Sequence, residues 1–135
     1  MLFISIHEDP HTLYPYSGYK WEIGAGAGRG ATLNLPMREG ADDEDYLKVI
    51  AERVAPRLQS FRPQLLMISA GFDGHCDDPL ADMNLTEKGF GAMTRMLAEV
   101  ADECCGGRIV SVLEGGYDMR ALGRSVVMHL QALVS

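Results

Sequence analysis

An α/β fold, a parallel sheet flanked by helices, is the class this sequence predicts, and three observations carry it. Short apolar runs of strand length are each closed by glycine, proline or polar residues. Between them lie stretches whose apolar residues recur at helical spacing. The two kinds alternate as strand, helix, strand, helix, strand, helix, the order that brings parallel strands together with helices outside. At 135 residues and 47% hydrophobic content, the chain is the size of one domain, and residues 1–135 are read as one globular domain or a piece of one. No internal repeat, low-complexity segment or linker composition divides it.

Leu2, Phe3, Ile4 and Ile6 read as a buried strand. It has nothing before it to pair or cover it, which suggests an upstream portion. Residues 8–30 are rich in Gly, Pro, Tyr and polar side chains without a regular period, a long loop of the kind that carries function. Residues 31–35 form a short strand closed by Pro36. Asp42 or Asp43 then caps a helix with the inner stripe Tyr46, Leu47, Ile50, Val54 and Leu58, which Pro56 is expected to kink or end. The cleanest strand is 65–68, introduced by Pro63 and stopped by Gly71. Thr86 caps a helix with Phe90, Met93, Leu97, Val100 and Cys104 on one face, stopped by Gly106 and Gly107. Residues 108–113 form the next strand, and Asp118 caps a last helix carrying Leu122, Val126, His129, Leu130 and Leu133.

Nineteen acidic residues against twelve basic ones give a net charge of -7, which repels phosphate backbones and argues against a general nucleic-acid binder. No apolar stretch is long enough to span a bilayer, and the first residues lack a basic leader and a small-residue cleavage site. The three cysteines make no C-x-x-C pair and no even set, and adjacent Cys104 and Cys105 are poorly placed to bridge. That usage points to a reducing, cytoplasmic setting, with Cys104 as a small core residue.

In open parallel sheets, ligands sit beyond the carboxyl ends of the strands. Three segments fall there: Ser5-Ile6-His7, Ser69-Ala70-Gly71-Phe72-Asp73 and Glu114-Gly115-Gly116-Tyr117. Their positions nominate His7, Asp73 and Tyr117 as neighbours, against the plainer reading that each caps a strand end. The glycine run from Gly24 to Gly30 is followed by a strand where a dinucleotide fingerprint needs a helix, so it is read as a tight loop. Ser69 has Met67 two residues before it instead of glycine, so the nucleophile elbow of serine hydrolases is absent. Asp73-Gly74-His75-Cys76-Asp77-Asp78 is dense in metal-ligand types. A loop this short cannot easily wrap four ligands around one ion, and Asp78-Pro79 reads as turn chemistry, which leaves Asp73 as the ligand and His75 as its best challenger. Tyr14, Tyr16, Tyr19 and Trp21 suit either a pocket wall or packing of the long loop on its own body.

Taken in order and spacing, Ser69-Ala70-Gly71-Phe72-Asp73, Asp78-Pro79-Leu80, Asn84-Leu85-Thr86 and Glu114-Gly115-Gly116-Tyr117 resemble the zinc-dependent histone deacetylase and acetylpolyamine amidohydrolase family. Ser5-Ile6-His7 and the stretch from Gly24 to Arg29 extend the likeness over essentially the whole chain. What it resembles is the second half of that family's domain. The resemblance implies the arginase-deacetylase fold, Asp73 as a ligand of the catalytic zinc, and Tyr117 as the tyrosine that hydrogen-bonds the substrate carbonyl. It further implies that Ser5 and the main-chain carbonyl of Ile6 help hold a structural potassium. Tyr14 falls at an aromatic position near the acyl channel, and Gly115 and Gly116 aim the tyrosine. Leu80 falls at a gatekeeper position that is apolar in lysine deacetylases and glutamate in a polyamine-preferring relative. His7 follows the pattern without an assigned catalytic role.

The family's upstream Asp-x-His pair and its two neighbouring histidines do not occur ahead of these motifs. Asp73-Gly74-His75 matches Asp-x-His by spacing alone, since only Asp73 aligns with a ligand. The chain is therefore expected to be inactive by itself. The implied reaction is hydrolysis of an N-acetylated lysine or a similar small acetylated amine, with acetylpolyamine as the competing substrate. Two other classes stay open: a non-catalytic acetyl-lysine or metal-binding module, and a metal-independent α/β structural or nucleotide-binding protein.

Overall fold

Parallel strands pair two by two, in separate pairs, in the computed structural model, which describes residues 1–135. The chain divides into the units Met1–Gly40 and Ala41–Ser135, each built around one pair. No helix is long and apolar enough to cross a membrane.

In the first unit, strand β1 (Phe3–Glu8) pairs with β2 (Thr32–Met37), from Phe3 opposite Thr32 to Glu8 opposite Met37. Both run further than the sequence suggests, and β2 passes through Pro36 instead of stopping at it. In a two-stranded pair each strand keeps one unpaired edge, so the missing proline N–H has a place where nothing is lost. The connection between them holds only a 3-10 turn at Gly26–Gly28. Polar groups tie it to itself: the Glu22 carboxylate accepts from the amides of Gly18 and Tyr19, and Asn34 Nδ2 donates to the carbonyls of Tyr19 and Glu22. Tyr19 stacks on Trp21 with ring centroids 4.5 Å apart.

The second unit begins with α1 (Asp43–Val49), a π-helical turn (Ile50–Val54) and α2 (Ala55–Phe61) in one continuous run. Asp42 caps it through a capping box with Asp45. Pro56 does not end the helix. It stands at the start of α2, directly after a turn wide enough to relieve the clash of its ring with the preceding carbonyls. Tyr46, Ile50, Val54 and Leu58 are buried as the stripe suggests. Strand β3 (Leu66–Ala70) pairs with β4 (Ile109–Leu113), and α3 (Glu87–Cys105) is the crossover. The outer face of this pair leaves Met67, Val110 and Val112 exposed. Helix α4 (Met119–Leu133) starts at the Asp118 cap.

The buried faces of α3 and α4 are rotated from the expected ones. Thr94, Ala101 and Cys105 are buried, with Cys104 only partly so, and on α4 the buried residues are Ala121, Ser125, His129 and Ala132, with Leu130 exposed. Small residues permit close approach of the two helices: a Cβ at Gly91 would lie 3.2 Å from Met128 Cβ. Chain period locates an amphipathic face, but contact distance selects which edge of that face goes deepest.

Two partly buried polar contacts join these elements. Thr86, the N-cap of α3, donates its amide and hydroxyl to the Asp43 carboxylate at 2.8 and 2.6 Å while its oxygen accepts from Gly89 N. Gly89 is obligatory there, since a Cβ would sit 1.9 Å from Asp43 Oδ1. In the other contact, the Thr94 hydroxyl donates to Phe90 O and is 2.7 Å from His129 Nδ1, while His129 Nε2 is 2.8 Å from Ser111 Oγ. With its one proton committed to Phe90 O, Thr94 accepts from Nδ1–H, so Nε2 is bare and accepts from Ser111. Burial holds His129 below the ordinary imidazole pKa and keeps it neutral.

Two predictions follow from these contacts. Gly89→Ala should lower unfolding free energy by about 1 kcal/mol in urea titration, although helix propensity alone would raise it by a similar amount. Because the folded pKa of His129 is depressed, the unfolded chain takes up its proton first as pH falls. Stability should thus decline from about pH 6.5 downward, and His129→Gln should flatten that part of the profile in denaturation midpoints measured across pH.

Candidate functional site

The carboxyl ends of β3 and β4 are tied together by main-chain bonds, Glu114 N to Ala70 O at 3.0 Å and Phe72 N to Gly115 O at 2.9 Å. This brings the turn after β3 against the turn after β4. Asp73 lies on bare backbone: a Cβ at Gly115 would be 2.8 to 2.9 Å from its carboxylate atoms, and one at Gly71 would be 3.0 Å from Oδ1. Phe72, 3% exposed, anchors the turn edge-on to Phe90 and His129. Desolvation, then the charges of Asp78 and Glu114, push the Asp73 carboxyl above its ordinary pKa. Such a carboxylate gains from a cation, which would offset both burial and like-charge repulsion.

Tyr117 follows Gly115 and Gly116 in the β4 turn, and Gly116 adopts a φ of 135, open to glycine alone. Tyr117 is 57% exposed. Its amide donates to Asp78 Oδ2 at 2.7 Å, and the Asp118 amide reaches the same oxygen at 3.2 Å. Asp78 Oδ1 accepts from Leu80 N at 3.1 Å, the local turn that Asp78-Pro79 suggests, and the Leu80 side chain is exposed. Asp78 thereby joins two segments far apart in the chain, a role that Asp-Pro composition does not signal.

His75, Cys76 and Asp77 place one donor atom each within 4.8 Å of one another. Both ring nitrogens of His75 are nevertheless engaged. Nδ1 accepts from Asp77 N at 3.0 Å, so Nε2 carries the proton and donates to Glu87 Oε2 at 3.1 Å. Desolvation and then the Asp77 charge push the Cys76 thiol up, away from the thiolate a metal requires. Arg124 closes the group with Nη2 2.8 Å from Asp77 Oδ2. His75 is a buried strut between this loop and the start of α3, where His75 pairs with Leu85 in an isolated bridge.

Ser5, Ile6, His7 and Tyr14 belong to the first unit. His7 Nε2 is 2.9 Å from Gly18 O and must donate to it, so Nδ1 accepts from the Ser5 hydroxyl at 2.7 Å. Ile6 lies opposite Leu35 in the strand pair. Ser5, His7, Leu13, Tyr14, Gly18 and Asn34 are among the walls of a cavity of about 500 Å³. The Tyr14 ring is largely exposed, edge-on to Tyr16.

Similarity to known proteins fits this geometry. The histone deacetylase domain family matches residues 1–133. A probable deacetylase of Archaeoglobus fulgidus is 45% identical over 119 residues, covering 88% of this chain and 33% of that protein. A histone deacetylase-like amidohydrolase of Pseudomonas aeruginosa is 43% identical over 117 residues, covering 87% of this chain and 30% of that protein. The crystal structure of an acetylpolyamine aminohydrolase from Burkholderia pseudomallei superposes with a TM-score of 0.88 at 31% identity, over 99% of this chain and 38% of that one. The chain thus spans about a third of the length of these two curated relatives. Its fold is that of the arginase-deacetylase α/β class, with parallel strands and flanking helices. On a match that runs from its first residue to its last helix, the chain belongs to the histone deacetylase domain family.

Proposed function

We propose that residues 1–135 are the C-terminal part of a single deacetylase domain, and that this part contributes one zinc ligand and the oxyanion donor to hydrolysis of an N-acetylated amine. The observation that carries this reading is the half-buried Asp73 carboxylate, crowded by two other carboxylates and lying against Gly115 two residues before Tyr117. Of the ligand types in that loop, Asp73 alone fits a metal, since the oxygens of Asp78 and the nitrogens of His75 are already bonded. When bound, zinc supplies Lewis-acid polarisation of the acetyl carbonyl and a water of lowered pKa.

The chain's own residues do the rest of what falls to this part. Asp73 provides negative charge from a fixed turn. The Tyr117 hydroxyl donates to the carbonyl oxygen as charge develops on it in the tetrahedral intermediate. Ser5 and the carbonyl of Ile6 would hold potassium; the Ser5 bond to His7 spends its proton and leaves its oxygen able to accept. Tyr14 and Leu80 would meet the substrate stem, and proton transfer falls to histidines outside these motifs. One carboxylate is too little to hold a catalytic zinc, so residues 1–135 alone are read as inactive. The exposed Met67, Val110 and Val112 support the same reading, because parallel strands are ordinarily covered on both faces. Three unbridged cysteines suit a reducing, cytoplasmic setting.

In the complete domain, Asp73→Ala should remove zinc and activity together. Tyr117→Phe should retain zinc and lose about 10²- to 10³-fold in kcat. Metal analysis beside steady-state hydrolysis of an acetyl-lysine peptide checks both, and near-normal turnover by the phenylalanine variant would remove Tyr117 from the mechanism.

For substrate class, the apolar and exposed Leu80 favours an acetylated lysine over an acetylpolyamine, whose distant ammonium calls for a carboxylate. Leu80→Glu should raise the ratio of kcat/KM for acetylspermidine to that for acetyl-lysine, from a wild type that prefers acetyl-lysine. A wild-type preference for acetylspermidine overturns the substrate assignment and leaves the zinc chemistry standing.

A further inference from the structure

We propose that Asp78 is a positioning residue for Tyr117, fixing through the main chain the place from which the tyrosine hydroxyl is aimed. The proposal rests on the reading of Tyr117 as the oxyanion donor. Three features of the β4 turn carry it. Two glycines precede Tyr117, so the backbone leading to it has little intrinsic preference for one conformation. Tyr117 is more than half exposed, so packing within residues 1–135 does not hold it either. What does hold the residue is its amide, which donates to Asp78 Oδ2 at 2.7 Å, with the next amide, that of Asp118, on the same oxygen.

Asp78 suits that task physically. Only 9% exposed, it keeps its carboxylate in a place where unbonded charge would be costly, and main-chain amides of Tyr117, Asp118 and Leu80 use both oxygens. Asp118 is the N-cap of α4, so the same carboxylate sets where that helix begins and where the tyrosine leaves the turn. Asp78 is five residues beyond Asp73 in the same loop. It therefore fixes Tyr117 relative to the segment that carries Asp73, and its charge is felt at Asp73. Asparagine has nearly the same shape but only one acceptor oxygen, so it cannot serve Leu80 on one side and Tyr117 with Asp118 on the other.

The test is a double-mutant cycle in the complete, zinc-loaded domain, read with amide hydrogen exchange. Asp78→Asn should lower kcat for an acetyl-lysine peptide by about 10²-fold, the scale of a misplaced oxyanion donor, with little change in KM and full zinc content. In the Tyr117→Phe background the same change should have almost no further effect on kcat, because the hydroxyl it aims is gone. The amides of Tyr117 and Asp118 should exchange at least about tenfold faster in Asp78→Asn, while those in the middle of α3 keep their protection. Asp77→Asn removes the same charge one residue away from an exposed carboxylate paired with Arg124, and should reproduce neither effect. Should asparagine cost the domain its fold, Asp78→Glu, with both acceptors on a longer arm, supplies the same cycle.

Multiplying losses in the double variant, equal slowing by Asp77→Asn, loss of zinc, or unchanged exchange at Tyr117 and Asp118 would each overturn the assignment. Near-normal turnover by Tyr117→Phe alone would instead overturn the functional reading, and exchange at the two amides would still report whether Asp78 anchors the turn.

Discussion

Because residue 115 carries no Cβ, the Asp73 carboxylate can lie against the main chain of the β4 turn at a distance no side chain would permit. The rest of the site depends on that approach. It brings the turn after β3 within reach of the turn after β4, where Phe72 N meets Gly115 O and Asp78 meets the amides of Tyr117 and Asp118. A substituent at 115 would displace the carboxylate and, with it, the spacing between a charged group and a phenol on two different strands. The close approach also has an electrostatic consequence, since it places Asp73 among other carboxylates with its charge partly desolvated.

Around that contact the second unit adds polar struts to an apolar core that includes Ile50, Phe72, Leu85, Phe90 and Val100. His129 reaches Thr94 on α3 and Ser111 on β4 from its seat on α4, and touches Phe72 beside Asp73. His75 reaches Glu87 at the start of α3, and Arg124 on α4 joins Asp77 in the same loop. Asp43 reaches across to hold Thr86, the cap of α3. Each of these bonds has an angular requirement that a leucine contact lacks, so together they specify one arrangement of the loop between β3 and α3. A site whose donors must be held closely is well served by such struts.

The division of labour within the family's reaction then follows from chemistry that a single segment can or cannot supply. The turn after β3 presents the Asp73 carboxylate and the turn after β4 presents the Tyr117 phenol. A complete metal shell and a pair of proton-transfer groups need donors from several strand ends at once, and the family match accounts for only about a third of the related proteins' length. In the first unit, Gly18 O orders His7 and through it the Ser5 hydroxyl at the end of β1, and the loop that carries Tyr14 forms part of a cavity wall.

The sequence by itself determined the elements and the chemistry at their ends. Caps at Asp42, Thr86 and Asp118 are local signals, because a side-chain oxygen finds amides two or three residues on, and all three hold in the structure. The motif order was enough to identify the family, since spacing between strand ends is fixed by the elements between them. Tertiary structure alone decided the rest. Which edge of α3 and α4 is buried depends on how near Gly91 lets Met128 come, and Pro36 and Pro56 are tolerated because of an open strand edge and a wide helical turn. The engagement of His75 by Glu87, and of Asp78 by amides 39 and 40 residues away, is likewise invisible to composition. Local energetics are written in neighbouring residues, whereas the partner of a buried polar group is chosen by where the folded chain returns.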